Sequence, residues 1–133
     1  MTAGPEDYMF RSKLFRNAIE IAAISIVIVD RVGRIVYVNE QMLWLTGRSE
    51  RDLLNLPVEE LLPPDLQERH RGHREKFWET PSRRVMGPNL DLVILQRIPD
   101  GHRHVPVHIT LAPTMVDDRP LVVCTIQELR TLQ

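Results

Sequence analysis

The 133-residue chain carries 17 Lys and Arg against 18 Asp and Glu, a net charge of -1, with 43% hydrophobic and 26% charged residues. This is the make-up of one ordinary globular domain, long enough to bury a core; it lacks the excess of cations that neutralises nucleic-acid phosphates. The single cysteine, Cys124, excludes an internal disulfide and a multi-thiolate metal site, and no apolar run approaches the roughly 20 residues that span a bilayer.

Residues 8–22 place Phe10, Leu14, Ala18 and Ile21 at helical spacing, with Lys13, Arg16 and Asn17 facing away, which predicts an amphipathic helix. SIVIVD and IVYVN are β-branched runs separated by RVGR, and so predict a hairpin. Asn39 is placed to cap a short helix through QMLWL, which Gly47 stops. Ser49 and Asp52 form a weak capping box for RDLL. VEELL follows Pro57 and ends before Pro63-Pro64; its Glu59-Glu60 pair reads as solvated. Asp65 is expected to cap the longest central helix, about 66–78.

The last third reads as three strands. The first runs from Leu90 through Leu92 and Ile94 to Arg97, and Pro99-Asp100-Gly101 is a turn. In the second, Val105, Val107, Ile109 and Leu111 form an apolar face, which points His102, His104 and His108 away from the core. Asp117-Asp118 makes another turn before LVVCTI, where Cys124 behaves as a small core hydrophobe. The fold class is α+β: a five-stranded antiparallel sheet with a helical run on one face and an amphipathic N-terminal helix.

These stretches together resemble the PAS domain, a small sensory module of bacterial signalling proteins. SIVIVDRVGRIVYVNEQMLWLTGRSERDLLNLPVEELLP resembles its first half, including Asn39 and Gly47. HRGHREKFWETPSRRVMG resembles its long helix and following loop, and RIPDGHRHVPVHITLAP resembles two late strands around a turn carried by Arg97, Asp100 and Gly101. The similarity covers about residues 20–129. Asn55 stands where a glycine is usual, a departure that asparagine's tolerance of left-handed dihedrals accommodates. Gln127-Glu128-Leu129 replaces the frequent Asp-Ile-Thr ending, so Glu128 would take over the link to the exit linker.

The resemblance implies residues 1–22 as a dimerisation helix (Phe10, Leu14, Ala18, Ile21), 23–129 as the core, and 130–133 as the start of a linker. It implies a sheet-backed cavity, for which Met42, Leu45, Leu66, His70, His73, Phe77, Leu92, Ile94 and Val107 are the lining expected. The effector beyond the linker would be a histidine kinase, a cyclic-di-GMP enzyme, a phosphatase or a transcription regulator. The expected setting is a reducing cytoplasm, as a homodimer, with a small-molecule ligand, no nucleic acid bound by this domain, and no membrane segment in this chain.

His70 carries the sharpest alternative. On a helix, Leu66, His70, His73 and Phe77 fall at i, i+4, i+7 and i+11, a core stripe with imidazoles in two of its places. In haem-binding relatives of this kind the proximal iron ligand is a histidine at the position of His70, and Arg83 or Arg84 could pair with a propionate. Against haem b, Pro88 and Leu90 stand where the distal Met or Arg would be, although Met86 is near. The alternative is a core histidine hydrogen-bonded to backbone, and no cofactor is the leading expectation. Flavin ranks lower: the adduct-forming Cys motif is missing, and only Trp44 and Trp78 hint at stacking. A third reading is a ligand-free interaction module. No residues can be nominated for catalysis, so the domain is read as non-enzymatic.

Overall fold

The computed structural model describes residues 4–86 and 92–129. A helix, α1 (Pro5–Ile21), leads into the hairpin β1 (Ser25–Asp30) and β2 (Ile35–Val38). The helical run follows: α2 (Glu40–Thr46), α3 (Glu50–Leu53), a 3-10 turn (Val58–Leu61) and α4 (Pro64–Glu79). Strands β3 (Arg84–Met86), β4 (Val93–Ile98), β5 (Gly101–Val116) and β6 (Arg119–Glu128) complete one sheet. Its order is β2-β1-β6-β5-β3, with β4 also beside β5, and every pair is antiparallel.

The α+β class and the sheet with its helical run are as the sequence predicts, with one difference in count. The outer strand beside β5 comes in two pieces. Arg84–Met86 pairs with 109–111, and Val93–Ile98 pairs with 101–106. Three residues are too short for a period-2 signal, so β3 was unreadable, and the expected strand start at Leu90 lies outside the described residues.

Local chemistry explains the punctuation. Asn39 caps α2, its side chain accepting from the Met42 N–H, and Ser49 caps α3 by accepting from the Asp52 N–H. Asp117 and Asp118 take φ of 49° and 63°, the left-handed pair of a two-residue hairpin between Val116 and Arg119. Asn55 is also left-handed at 69°, as its place in the sequence anticipates. Asp65 does not cap α4. Pro64, with φ preset by its ring, occupies the first turn behind Pro63, and Asp65 falls within that turn, near the positive end of the helix dipole.

Gly47 ends α2 at φ 66°, and a Cβ there would meet the Arg97 carbonyl oxygen at 2.2 Å. Backbone of β4 is the obstacle, so no rotamer relieves it. Gly47→Ala is expected to cost about 3 kcal/mol, combining left-handed strain with the clash. Gly72→Ala, in open space within α4, should instead gain up to about 1 kcal/mol. Urea midpoints of the two variants test the contrast.

The inner face of the sheet alternates as strands must: Val27 and Val29, Val105, Val107 and Ile109, and Val122, Cys124 and Ile126 are buried. Met42, Leu45, Leu53, Leu61 and Phe77 cover it. Burial pushes the Cys124 thiol up to about 12, so it is an inert core residue. His102, His104 and His108 are exposed. Only the C-terminal end of α1 is tied down, while Phe10, Leu14 and Phe15 are more than half exposed and Ile21 is 80% exposed. Among the described residues no helix is long and apolar enough to cross a membrane.

Candidate functional site

The helix α4 is where the sequence posed its question. Of the stripe Leu66, His70, His73 and Phe77, only Phe77 is fully buried, packed edge-on against Trp78. The face cannot collapse onto the sheet as an apolar stripe would, because polar side chains sit in it.

Those polar side chains converge on Glu59. This carboxylate is 1% exposed, and the reading of Glu59-Glu60 as a solvated pair is corrected for Glu59, while Glu60 is exposed. The 3-10 turn explains the orientation: residues three apart eclipse one another, which puts Glu59 on the same side as inward-facing Leu62. His70 Nδ1–H donates to Glu59 Oε2 at 2.7 Å; Arg74 donates through Nη2 to Oε1 at 3.1 Å and through Nε to Oε2 at 3.3 Å. His70 and Arg74 stand one turn apart, so both reach a single carboxylate. The partner of His70 is therefore a buried carboxylate, not a backbone group.

Burial on its own pushes the Glu59 carboxyl upward and is the largest single influence. The hydrogen bonds and charges of His70 and Arg74 together outweigh it and hold the group below its ordinary range. Arg74 also donates to the Arg31 carbonyl, at 3.4 Å, in the β1–β2 turn. It can do so because Gly33 has no side chain: a Cβ there would lie 2.6 Å from Arg74 Nε. The cluster thus clamps α4, the 3-10 turn and the first hairpin together.

Beside this clamp, between α4 and the inner sheet, lies a cavity of about 300 Å3. Its sheet wall includes Val27, Val29, Ile94, Ile109, Val122 and Cys124, and its helix wall His70, His73, Arg74, Phe77 and Trp78, with Arg84, Val85 and Met86 at the β3 edge. Of the nine expected lining residues, His70, His73, Phe77 and Ile94 are in this wall. Met42, Leu45 and Val107 are not: all three belong to the packed core, Met42 and Leu45 on α2, which packs against β1 and β4, and Val107 on β5. Leu66 and Leu92 pack against that core and are likewise absent from the wall. Sequence reasoning missed Glu59, Arg74 and Val85, and it named Arg84 and Met86 only as partners for a haem. The i, i+4 pairing of His70 with Arg74 was the one available signal.

Leu45 instead lines a second, more polar hollow with Trp44, Gln96, Gln127 and Glu128. Glu128 is exposed at the end of β6 and makes no ion pair among the described residues. Among these residues no group of three His, Cys, Asp or Glu could hold a metal ion. Pro88, Leu90 and residues 130–133 lie outside them.

No curated protein matches the chain in sequence. Solved structures do match in fold. A PAS domain from Colwellia psychrerythraea superposes with a TM-score of 0.73 at 17% identity, covering 90% of this chain and 97% of that one. The PAS domain of a two-component sensor histidine kinase gives 0.70 at 15%, covering 92% and 99%. The PAS domain of the Cronobacter turicensis RpfR quorum-sensing receptor, solved in complex with BDSF, gives 0.58 at 20%, covering 82% and 96%. The sequence profile described as the PAS fold matches residues 22–130, the same span that holds the hairpin, the helical run and the last four strands. By that match, and by a sheet and helical run arranged as in those neighbours, the chain belongs to the PAS family.

Proposed function

We propose that this domain is the sensory module of a larger signalling regulator, and that the cavity between α4 and the sheet receives a small, mainly apolar ligand. The cavity carries the reading. Protein interiors normally close-pack, yet here about 300 Å3 stands open beside α4, within the lower range of ligand pockets. The RpfR domain, solved with BDSF and with C12:0, supports the idea that this fold can hold such molecules. A ligand that binds two packings of α4 unequally shifts their populations. The change would leave through β6 and Glu128 to a C-terminal effector. Likeness to a histidine-kinase PAS domain favours a kinase, and a cyclic-di-GMP enzyme, phosphatase or transcription regulator would use the same relay. The module itself is read as non-enzymatic, cytoplasmic and without a nucleic-acid role.

Trp78 lines the cavity and Trp44 is 72% exposed on α2, so Trp44→Phe leaves one reporter at the site. Titrating that protein with decan-1-ol should give a saturable change in Trp78 fluorescence. Decan-1-ol should also raise the thermal-unfolding midpoint, and Leu111→Trp, which fills the cavity from β5, should abolish that rise. No saturable response would end the cavity reading.

Pairing through α1 belongs to the same proposal. Phe10 and Leu14 are 67% and 53% exposed, and Ala18 and Ile21 are exposed with them, so the helix leaves the expected stripe uncovered. The parent chain is expected to sediment as a dimer, and the double variant Phe10→Asp, Leu14→Asp as a monomer. An unchanged dimer would place the contact elsewhere.

Haem finds a partial fit only. His70 Nδ1 is held by a carboxylate, as metal-binding imidazoles are. However, a porphyrin needs more room than a cavity of about 300 Å3 offers, and no step is assigned to it. For flavin no observation speaks.

A further inference from the structure

The cavity's charges do not balance. Among the described residues its lining contains His70, His73, Arg74 and Arg84, and no carboxylate. Glu59 accounts for His70 and Arg74. Among the described residues Arg84 has no ion pair, and its guanidinium lies over the Phe77 ring, 5.1 Å from the centroid. A second cation, Arg31, lies over Trp78 at 5.9 Å. Two guanidiniums thus rest on the aromatic rings of α4, one of them at the β3 edge of the chamber.

Resting on the reading of the cavity as a ligand site, we infer that the ligand is an apolar organic acid: a hydrocarbon body in the chamber and one carboxylate held by Arg84. A guanidinium on a ring face gains less than one donating two hydrogen bonds to a carboxylate. Arg84 is exposed, and its contact with Phe77 keeps the guanidinium beside the opening, within reach of an arriving acid. An organic cation would meet uncompensated positive charge. A polyol would bury hydroxyls against Val27, Val122 and Ile109 with nothing to bond. His73, exposed on the same wall, stands ready as a second donor.

Three probes of equal chain length separate the possibilities in the Trp44→Phe protein: decanoate, decan-1-ol and decylammonium, each followed by Trp78 fluorescence at neutral pH. Decanoate should bind about tenfold more tightly than decan-1-ol, the difference expected of a charge-assisted hydrogen bond, and decylammonium more weakly than either. Arg84→Gln should erase the decanoate advantage, leave decan-1-ol unchanged and leave the far-UV circular dichroism unaltered. Equal binding of acid and alcohol would overturn the carboxylate inference while sparing the cavity reading. A decanoate advantage that survives Arg84→Gln would overturn the role of Arg84. No binding of any probe would remove the cavity reading itself.

Discussion

Glu59→Ala should destabilise the domain by about 4 kcal/mol, the scale of breaking a buried ion pair by removing one partner. The alanine leaves the Arg74 guanidinium, 15% exposed, facing the core with no anion. It also strips His70 Nδ1–H of its acceptor. Urea unfolding gives the number. A loss under 1 kcal/mol would mean that water replaces the carboxylate, and that the clamp between α4, the 3-10 turn and the first hairpin is not what holds them. A second signature is pH. Because the folded-state carboxyl lies below its ordinary value of 4.5, its contribution is fully present above the unfolded value and is lost as pH falls through the folded one. The acid limb of the stability profile below about pH 4.5 should therefore be flatter in Glu59→Gln than in the parent. If the limbs coincide, other carboxylates dominate acid unfolding.

The same residue shows where sequence reasoning stops. The β1–β2 hairpin is legible because SIVIVD and IVYV carry β-branched residues around a glycine that takes φ 89°. The caps Asn39, Gly47 and Ser49 are legible because each is the residue type its terminus requires. Glu59 is not, since reading VEELL at a period of 3.6 places it with solvent and reading it at 3.0 places it with Leu62. No local signal separates these. His70 and His73 stand out in the sequence as anomalies on an inward face, but the anion that resolves His70 is eleven residues away in sequence and reaches it through a turn flanked by prolines. Ile94 and Met42 illustrate the remaining gap. Both are almost wholly buried apolar residues, and only the three-dimensional stand-off of α4 makes one a cavity wall and the other core.

Asn39 offers the complementary experiment, on the route between the core and α1. It is 1% exposed and its amide is fully used. Oδ1 accepts from the Ile26 N–H at 3.0 Å and the Met42 N–H at 3.2 Å, and Nδ2 donates to the Ile19 and Ile24 carbonyls, both at 2.9 Å. One side chain thus caps α2, bonds β1 and holds the end of α1. Asn39→Ala is expected to cost about 4 kcal/mol, since it removes a helix cap and leaves buried backbone groups without partners. Asn39→Asp divides the two functions. Its carboxylate can still accept from Ile26 and Met42, but it cannot donate, and it faces two carbonyls with a negative charge. Hydrogen exchange should therefore show residues 5–21 opening in Asn39→Asp while β1 and α2 stay protected. Tyr37 tests whether the tie is shared, because its hydroxyl donates to Glu20 in the last turn of α1. Burial, and then this bond, push its phenol from 10.0 up to about 12, so the tie holds below pH 10 and is lost as pH rises through the folded value. If α1 stays protected in Asn39→Asp and opens only when Tyr37→Phe is added, the two residues hold the helix jointly. If it stays protected in both, the helix is held by its apolar side chains instead, and the polar route from α1 to the sheet falls.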